Sequence, residues 1–215
     1  MNSIPEGYRL ERGLLWPDYD EKCAAVIFKM ARDLEVILKI IPGRDTVVQA
    51  GGNCGVWPRT LAPLFKRVIT FEPDSRNFTC LSYNTRDLPN VTPFNYALSD
   101  EVGRGRMFTP DHETDNCGAL QFIPMEEGGI PTMRLDSLRV TPCDLLYLDI
   151  EGFEIPALRG ARETIDRCKP VIALEDKGLS ERYGFKQGDV VDMLRVEHGY
   201  RVAQRIHRDV VLVPG

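Results

Sequence analysis

The segments TVVQAGGNCGVW, Thr46 to Trp57, and FEPD, Phe71 to Asp74, decide how this chain folds. In the first, an apolar run at Val47 and Val48 enters a glycine turn, and Pro58 lies in the first turn of the helix expected to follow. This pattern predicts a strand, a loop and a helix in succession.

The glycine turn suits the close approach of a ligand. Gly51, Gly52 and Gly55 permit positive φ, and Asn53 is well tolerated in the left-handed region, so we expect the loop to present backbone N–H groups to a ligand. A second apolar run ends at Glu72, about 20 residues after the loop, where a ribose-binding carboxylate is expected. The pair predicts a nucleoside-cofactor site, and the alternative is that the loop is only a strand-to-helix turn.

The composition limits the classes of protein that fit. With 215 residues, 43% of them hydrophobic, the chain can bury one substantial core, so we expect a single domain, 1–215. A net charge of −5 disfavours a nucleic-acid partner. The six cysteines form no CxxC or Cys/His cluster, which disfavours a zinc site and favours a reducing compartment. There is no signal-type or membrane-spanning stretch, so we expect a cytoplasmic protein without a membrane partner.

Residues 1–41 form a lead-in and a helix in this interpretation. Met1 to Asp20 is rich in proline, glycine and charge and is predicted to be extended. From Glu21 to Ile41 apolar residues recur at helical spacing, which predicts an amphipathic helix that packs on the sheet.

The elements after the loop alternate between helix and strand. We predict a helix over Val56 to Leu64, a strand over Arg67 to Phe71, a helix capped by Asp74 or Ser75, and an edge-like strand starting at Val91, because it contains Pro93. Gly103 to Met133 is a Gly- and polar-rich excursion with a candidate strand at Arg106 to Thr109, and we interpret it as a lid on the acceptor side.

The C-terminal half continues the alternation. The predicted elements are a buried strand at Leu145 to Ile150, a helix at Glu154 to Cys168, a strand at Val171 to Leu174, a helix at Asp189 to His198, and two closing strands at Tyr200 to Gln204 and Asp209 to Val213. This order predicts a doubly wound α/β sheet that binds ligands outside the strand carboxyl ends. His198 and His207 are assigned to the surface.

The glycine spacing distinguishes between cofactors. The dinucleotide pattern GxGxxG, started at Gly51, requires glycine where the chain has Asn53 and Val56. The loop instead matches a shorter GxGxG-like turn, which leaves room for a nucleoside and an amino-acid tail but provides no pyrophosphate seat. This favours S-adenosylmethionine over NAD.

From about Thr46 onward the chain resembles the FkbM-type S-adenosylmethionine-dependent methyltransferases. The resemblance rests on the ordered motifs VVQAGGNCG, FEPD, NYALSD, RLDSL, LYLDIEGFE and GYRV. It implies the class I methyltransferase fold, a Rossmann-like, mostly parallel seven-stranded sheet with an antiparallel final strand. Many members methylate hydroxyl groups, so it implies a small-molecule or sugar-containing acceptor.

The resemblance also implies site roles. Gly51, Asn53 and Gly55 would hold the methionine end of the cofactor, Glu72 its ribose, and residues 97–100 would lie by the adenine. The full predicted cofactor-binding set is Gln49, Gly51, Gly52, Asn53, Gly55, Glu72, Pro73, Ala97, Leu98, Ser99 and Asp149.

Methyl transfer to a hydroxyl needs a group that accepts the proton. The candidates are Asp149, Glu151, Glu175 and His112, with Asp149 first because it ends a central strand. Two alternatives stay open: Asp149 or Glu151 caps the next helix, or Asp149, Glu175 and Asp176 hold a divalent ion, which we do not favour.

Two positions depart from the family pattern. The chain has Gln49 where aspartate is usual and Tyr147 where lysine is common. These departures motivate a second hypothesis, an S-adenosylmethionine-binding module without turnover, and a nucleotide-cofactor oxidoreductase is a third. The oligomeric state cannot be derived from the sequence.

Overall fold

The computed structural model of the chain describes residues 4–30 and 34–215. Its strands are β1 (Tyr8–Glu11), β2 (Leu14–Pro17), β3 (Thr46–Ala50), β4 (Arg67–Phe71), β5 (Val91–Phe94), β6 (Ala97–Leu98), β7 (Arg104–Phe108), β8 (Gln121–Pro124), β9 (Ile130–Met133), β10 (Leu145–Leu148), β11 (Val171–Glu175), β12 (Tyr200–Ile206) and β13 (Asp209–Pro214). Its α-helices are α1 (Cys23–Met30), α2 (Leu34–Leu38), α3 (Val56–Leu61), α4 (Ser75–Thr85), α5 (Glu154–Arg159), α6 (Arg162–Cys168) and α7 (Asp189–His198). Among these helices, none is both long and apolar enough to cross a membrane.

The main sheet has seven strands in the order β12-β13-β11-β10-β3-β4-β5. β13 pairs antiparallel with both of its neighbours, and the pairs from β11 to β5 are parallel. The predicted α/β class and mostly parallel sheet are therefore confirmed. β5 lies at the edge of the sheet. This position suits Pro93, because proline has no N–H to donate to a further strand.

Both faces of the central strands are buried. Along β3, Val47 belongs to one core cluster and Val48 to the other, and Leu145 and Leu146 divide in the same way along β10. Helices α1, α2 and α3 cover the first face, and α5, α6 and α7 cover the second. This two-sided burial explains why these strands read as continuous apolar runs.

Residues 8–17 are extended, as the sequence predicts, but they form a paired hairpin rather than a simple lead-in. β1 and β2 form an antiparallel hairpin, and Trp16 within it is fully buried. The Asn84 side chain on α4 fixes the hairpin, because its Oδ1 accepts from Leu15 N at 2.7 Å and its Nδ2 donates to Leu15 O at 2.8 Å. The sequence does not indicate this anchoring, because these contacts join residues 69 positions apart in the chain.

The excursion at residues 103–133 is also more regular than predicted. Its strands β7, β8 and β9 join β6 in a second sheet with the order β6-β9-β7-β8. The candidate strand at Arg106 to Thr109 corresponds to β7. Gly105 in β7 lies against the Phe122 ring, which would be 2.2 Å from an added Cβ, so this glycine is needed for close strand packing.

Three predicted details need correction. The helix predicted over Glu154 to Cys168 is interrupted at Gly160, whose missing Cβ would lie 2.0 Å from the Ser99 carbonyl oxygen, and α6 starts afresh beyond it. The helical stretch predicted over Glu21 to Ile41 starts at Cys23 and ends at Leu38, and residues 31–33, between α1 and α2, lie outside the described residues. His198 is buried rather than on the surface, with its Nδ1 2.8 Å from Asp166 Oδ1.

We expect Asn84→Ala to lower the free energy of unfolding by roughly 2–3 kcal/mol, because it leaves buried backbone groups of the hairpin without partners. Urea denaturation of the purified variant measures this change. Thr79→Ala, on the exposed side of the same helix, is the matched control and should change stability by less than about 0.5 kcal/mol. Equal effects from the two variants would contradict the role given to Asn84.

Candidate active site

A large cleft opens where the main parallel strands end. Its volume is about 1490 Å³, and the residues that follow β3, β4, β10 and β11 line it. Among the predicted site residues, those that line the cleft are Gly51, Asn53, Glu72, Pro73, Ala97, Leu98, His112, Asp149, Glu151, Glu175 and Asp176. Those that do not line it are Gln49, Gly52, Gly55 and Ser99.

Gly51 occupies the position where β3 approaches β10 most closely. It has φ +84°, and an added Cβ would lie 1.9 Å from the Asp149 carbonyl oxygen. No other residue fits this backbone without displacing the end of β10. Gly51 therefore brings the loop and the acidic end of β10 together at one edge.

The loop does not offer its amides to a ligand, contrary to the expectation from the sequence. Gly51 N and Gly52 N both donate to Phe71 O, at 3.0 and 2.8 Å. Asn53 N donates to Glu72 Oε2 at 2.7 Å. The next two amides, at positions 54 and 55, are also bonded within the loop. These bonds fix the shape of the loop. What the loop offers to a ligand is a backbone without bulky side chains, which the ligand can approach closely.

Gln49, in β3, supports the glycine turn through side-chain hydrogen bonds. Its side chain is fully buried, its Nε2 donates to Ala50 O at 3.1 Å and to Gly51 O at 2.8 Å, and its Oε1 accepts from Thr70 Oγ1. An ionised aspartate has no hydrogen to donate to these carbonyls. The departure from the family pattern at this position thus provides a hydrogen-bonded support without a buried charge.

Glu72 faces the cleft from the end of β4. Its Oε2 accepts from Asn53 N, and its Oε1 accepts from Asp74 N at 2.8 Å. Burial raises the pKa of Glu72 to about 8, although these two amide bonds act in the opposite direction. In its ionised form Glu72 has about four acceptor positions, so two would remain for hydroxyl groups of a ligand.

Apolar residues flank Glu72. Phe71 stacks on Phe94 with ring centroids 5.2 Å apart, and Phe71, Ala97 and Leu98 line the cleft. Ser99 is buried behind them, where its N donates to Met133 O at 3.0 Å. The wall of the cleft next to Glu72 is therefore apolar.

The DIEGFE segment turns sharply after β10. Glu151 has φ +54° and Gly152 φ +98°, an unusual pair of left-handed residues. A Cβ on Gly152 would lie 2.5 Å from the Leu179 carbonyl carbon. Glu154 Oε1 accepts from Ile150 N and Gly152 N, both at 3.3 Å, so Glu154 closes the turn. Neither Asp149 nor Glu151 caps α5, so the structure does not support the capping alternative.

Three carboxylates meet at the cleft beyond this turn. Asp149, Glu151 and Glu175 can each place an oxygen within 4.8 Å of the others. Burial raises the pKa of Asp149 well above its ordinary value, and the nearby charges of Glu175 and Glu151 raise it further. Asp176 instead accepts from Gly188 N through its Oδ1 at 3.3 Å and is not part of the cluster.

Lys177 is the main residue of this site that sequence reasoning missed. Its Nζ lies 2.6 Å from Glu175 Oε2 and 3.2 Å from Glu151 Oε1. Burial acts to lower the pKa of Lys177, but the two glutamates outweigh it, so the pKa rises and the ammonium stays charged. A lysine directly after the acids that end β11 is the signal that could have identified it.

Two cysteine side chains also lie beside the loop. They are far apart in the sequence, so the sequence does not show that they are close together. Cys23 Sγ and Cys117 Sγ lie 3.8 and 4.0 Å from Asn53 Oδ1, and Asn53 Nδ2 donates to Cys117 O at 3.1 Å. Asp20 lies beside both thiols, but its carboxylate already accepts from Trp16 Nε1 and from backbone amides, including those at positions 23 and 117. The cluster therefore joins α1 and the second sheet's loop to the glycine turn.

Known proteins share this architecture. The family model described as the methyltransferase FkbM domain matches residues 50–202. No curated protein matches the chain. Methyltransferase FkbM from Methylobacillus flagellatus is 21% identical with a TM-score of 0.52, over 79% of this chain and 43% of that one, so the chain spans less than half of that protein's length.

Two further solved structures share the fold at lower identity. Precorrin 8W decarboxylase from Methanobacterium thermoautotrophicum is 14% identical with a TM-score of 0.50, over 86% of this chain and 89% of that one. A putative methyltransferase from Streptococcus mutans, in complex with SAH, is 10% identical with a TM-score of 0.50, over 85% and 97%. Because the family model matches well over half of its residues, the chain belongs to the FkbM methyltransferase family.

Proposed function

We propose that the protein transfers a methyl group from S-adenosylmethionine to a hydroxyl group of a small polar or sugar-containing acceptor. One observation carries the proposal. Glu72 and Asp149 follow β4 and β10, the two strands that flank β3, and both line one cleft. This arrangement supports a role for Glu72 in binding the cofactor and for Asp149 in accepting the proton, on either side of the glycine turn.

The residues present fit the cofactor. Glu72 keeps acceptor positions for the ribose hydroxyls, and Phe71, Ala97 and Leu98 offer an apolar wall to the adenine. When bound, S-adenosylmethionine supplies a methyl group that its sulfonium already activates. The protein's own task is then to align the acceptor and take its proton.

Asp149 is the group proposed to take that proton. Asp149 would take the hydroxyl proton as the acceptor oxygen receives the methyl group that the bound cofactor would supply. Its raised pKa makes Asp149 a stronger base than an exposed aspartate. Glu151 and Glu175 contact Lys177 instead, which favours Asp149 over them for this role.

The second sheet provides the proposed acceptor wall. Met107, Phe108 and Phe122 line the cleft from β7 and β8. Phe122 packs edge-on against Phe153 at 5.3 Å, and Phe153 against Tyr183 at 5.0 Å. Aromatic faces beside carboxylates suit an acceptor with both apolar faces and hydroxyl groups. In this proposal residues 103–133 act as the acceptor-side lid.

We expect Glu72→Ala to weaken the binding of S-adenosylmethionine at least ~10-fold, because it removes the acceptor of the ribose hydroxyls. Isothermal titration calorimetry measures this, with S-adenosylhomocysteine as a second ligand. Asp87→Ala, an exposed acid in the turn after α4, should leave the affinity unchanged. NAD should give no heat.

If neither S-adenosylmethionine nor S-adenosylhomocysteine gives heat with the folded wild-type protein, the cofactor assignment is refuted. NAD binding in their place would favour the oxidoreductase hypothesis.

We expect Asp149→Asn to keep cofactor binding but to reduce methyl transfer at least ~100-fold, because asparagine cannot accept the proton. Transfer of a radiolabelled methyl group into a panel of hydroxylated acceptors measures it. The wild-type rate should rise with pH through the raised pKa of Asp149, since only the ionised carboxylate accepts a proton, and the variant should lack that rise.

Asp192→Asn, an exposed acid on α7 that pairs with Arg195, is the control and should retain the wild-type rate and pH profile. Wild-type protein that binds the cofactor but methylates no acceptor in a broad panel would favour the binding module without turnover.

A further inference from the structure

The acidic cluster at the cleft already contains a cation. Asp149, Glu151 and Glu175 place oxygens within 4.8 Å of one another, a spacing at which three carboxylates can share a hard divalent ion. The Lys177 ammonium, however, lies 2.6 Å from Glu175 and 3.2 Å from Glu151. A second cation between these two glutamates would stand directly beside it.

The lysine is held in this position by its surroundings. Its side chain is 22% exposed, and those of Glu151 and Glu175 are 15% and 9% exposed, so water screens the three charges only weakly. Glu151 is directed to the lysine by the left-handed turn at positions 151 and 152, which the nearby Leu179 backbone restricts to glycine at 152. The contact is therefore built into the fold on both sides.

We propose that Lys177 is a positioning residue whose ammonium takes the place of a divalent ion between Glu151 and Glu175. The acceptor side of the cleft then needs no metal, and among the residues that the structure describes Asp149 is the carboxylate of the cluster that forms no ion pair within 4.0 Å. The statement about Asp149 rests on the function proposed for it. The statement that Lys177 takes the place of a divalent ion concerns the cluster alone.

Removal of the lysine charge should convert the cluster into a metal site. Mn²⁺ is the probe, and its binding to the folded protein is followed by electron paramagnetic resonance of the free ion. We expect Lys177→Met to bind Mn²⁺ on the order of 100-fold more tightly than the wild type, because three close carboxylates then lack a counter-charge. Lys177→Arg restores the charge and should bind Mn²⁺ as weakly as the wild type.

Two controls make the result specific. Lys186→Met removes the same charge from an exposed position and should leave Mn²⁺ affinity at the wild-type level. Adding Glu175→Gln to Lys177→Met should abolish the gain, because it removes one of the three ligands. Circular dichroism and S-adenosylmethionine calorimetry on each variant report folding and cofactor binding independently of Mn²⁺.

Two outcomes would overturn the proposal. One is tight Mn²⁺ binding by the wild type that Glu175→Gln weakens, since the lysine would then not occupy the ion's place. The other is a folded Lys177→Met protein that gains no Mn²⁺ affinity. Neither outcome depends on methyl transfer, and loss of cofactor binding would count only against the proposed function.

Discussion

The contact between Gly51 and the Asp149 carbonyl oxygen is the constraint on which the site depends. A Cβ at position 51 would lie 1.9 Å from that oxygen, and Asp149 N donates to Ala50 O at 3.1 Å. The two central strands thus stay paired to their last residue. Because β3 and β10 end together, the glycine turn and the acidic turn occupy the same edge of the sheet, as the parallel arrangement of an α/β sheet requires.

Hydrogen bonds within the protein satisfy the buried polar groups at this edge of the sheet and make the glycine turn rigid. Carbonyls next to the turn are satisfied by the Gln49 amide, and the loop's amides are satisfied by Phe71 O and Glu72. These buried polar groups of the glycine turn have partners within the protein, which fix the shape of the loop. Such preorganisation means that little ordering entropy has to be lost on binding.

The parts of the fold that were predictable are those coded by local pattern. β4 matches its predicted bounds, because its apolar run is bounded by a charged residue and an acid, and Asp74 caps α4 through Arg76 N and Asn77 N as expected. The anchoring of the hairpin by Asn84 and the assembly of the second sheet depend on contacts between distant segments, which one sequence does not reveal. Lys177, in contrast, directly follows the acids that end β11 and could have been identified from the sequence. The predicted cleft residues Gly51, Glu72 and Asp149 lie together, whereas Gln49 and Ser99 lie behind the cleft wall.

Asp20 joins three segments of the chain at one side of the cleft. Its carboxylate accepts from Trp16 in the hairpin, from the first residues of α1, and from Cys117 N in the segment that leads to β8. Cys117 in turn contacts Asn53 of the glycine turn. Opening this side of the cleft must therefore break bonds that also hold the N-terminal segment. A ligand that stabilised the glycine turn would therefore also lower the local unfolding of the N-terminal segment, because Asp20 and Cys117 connect the two.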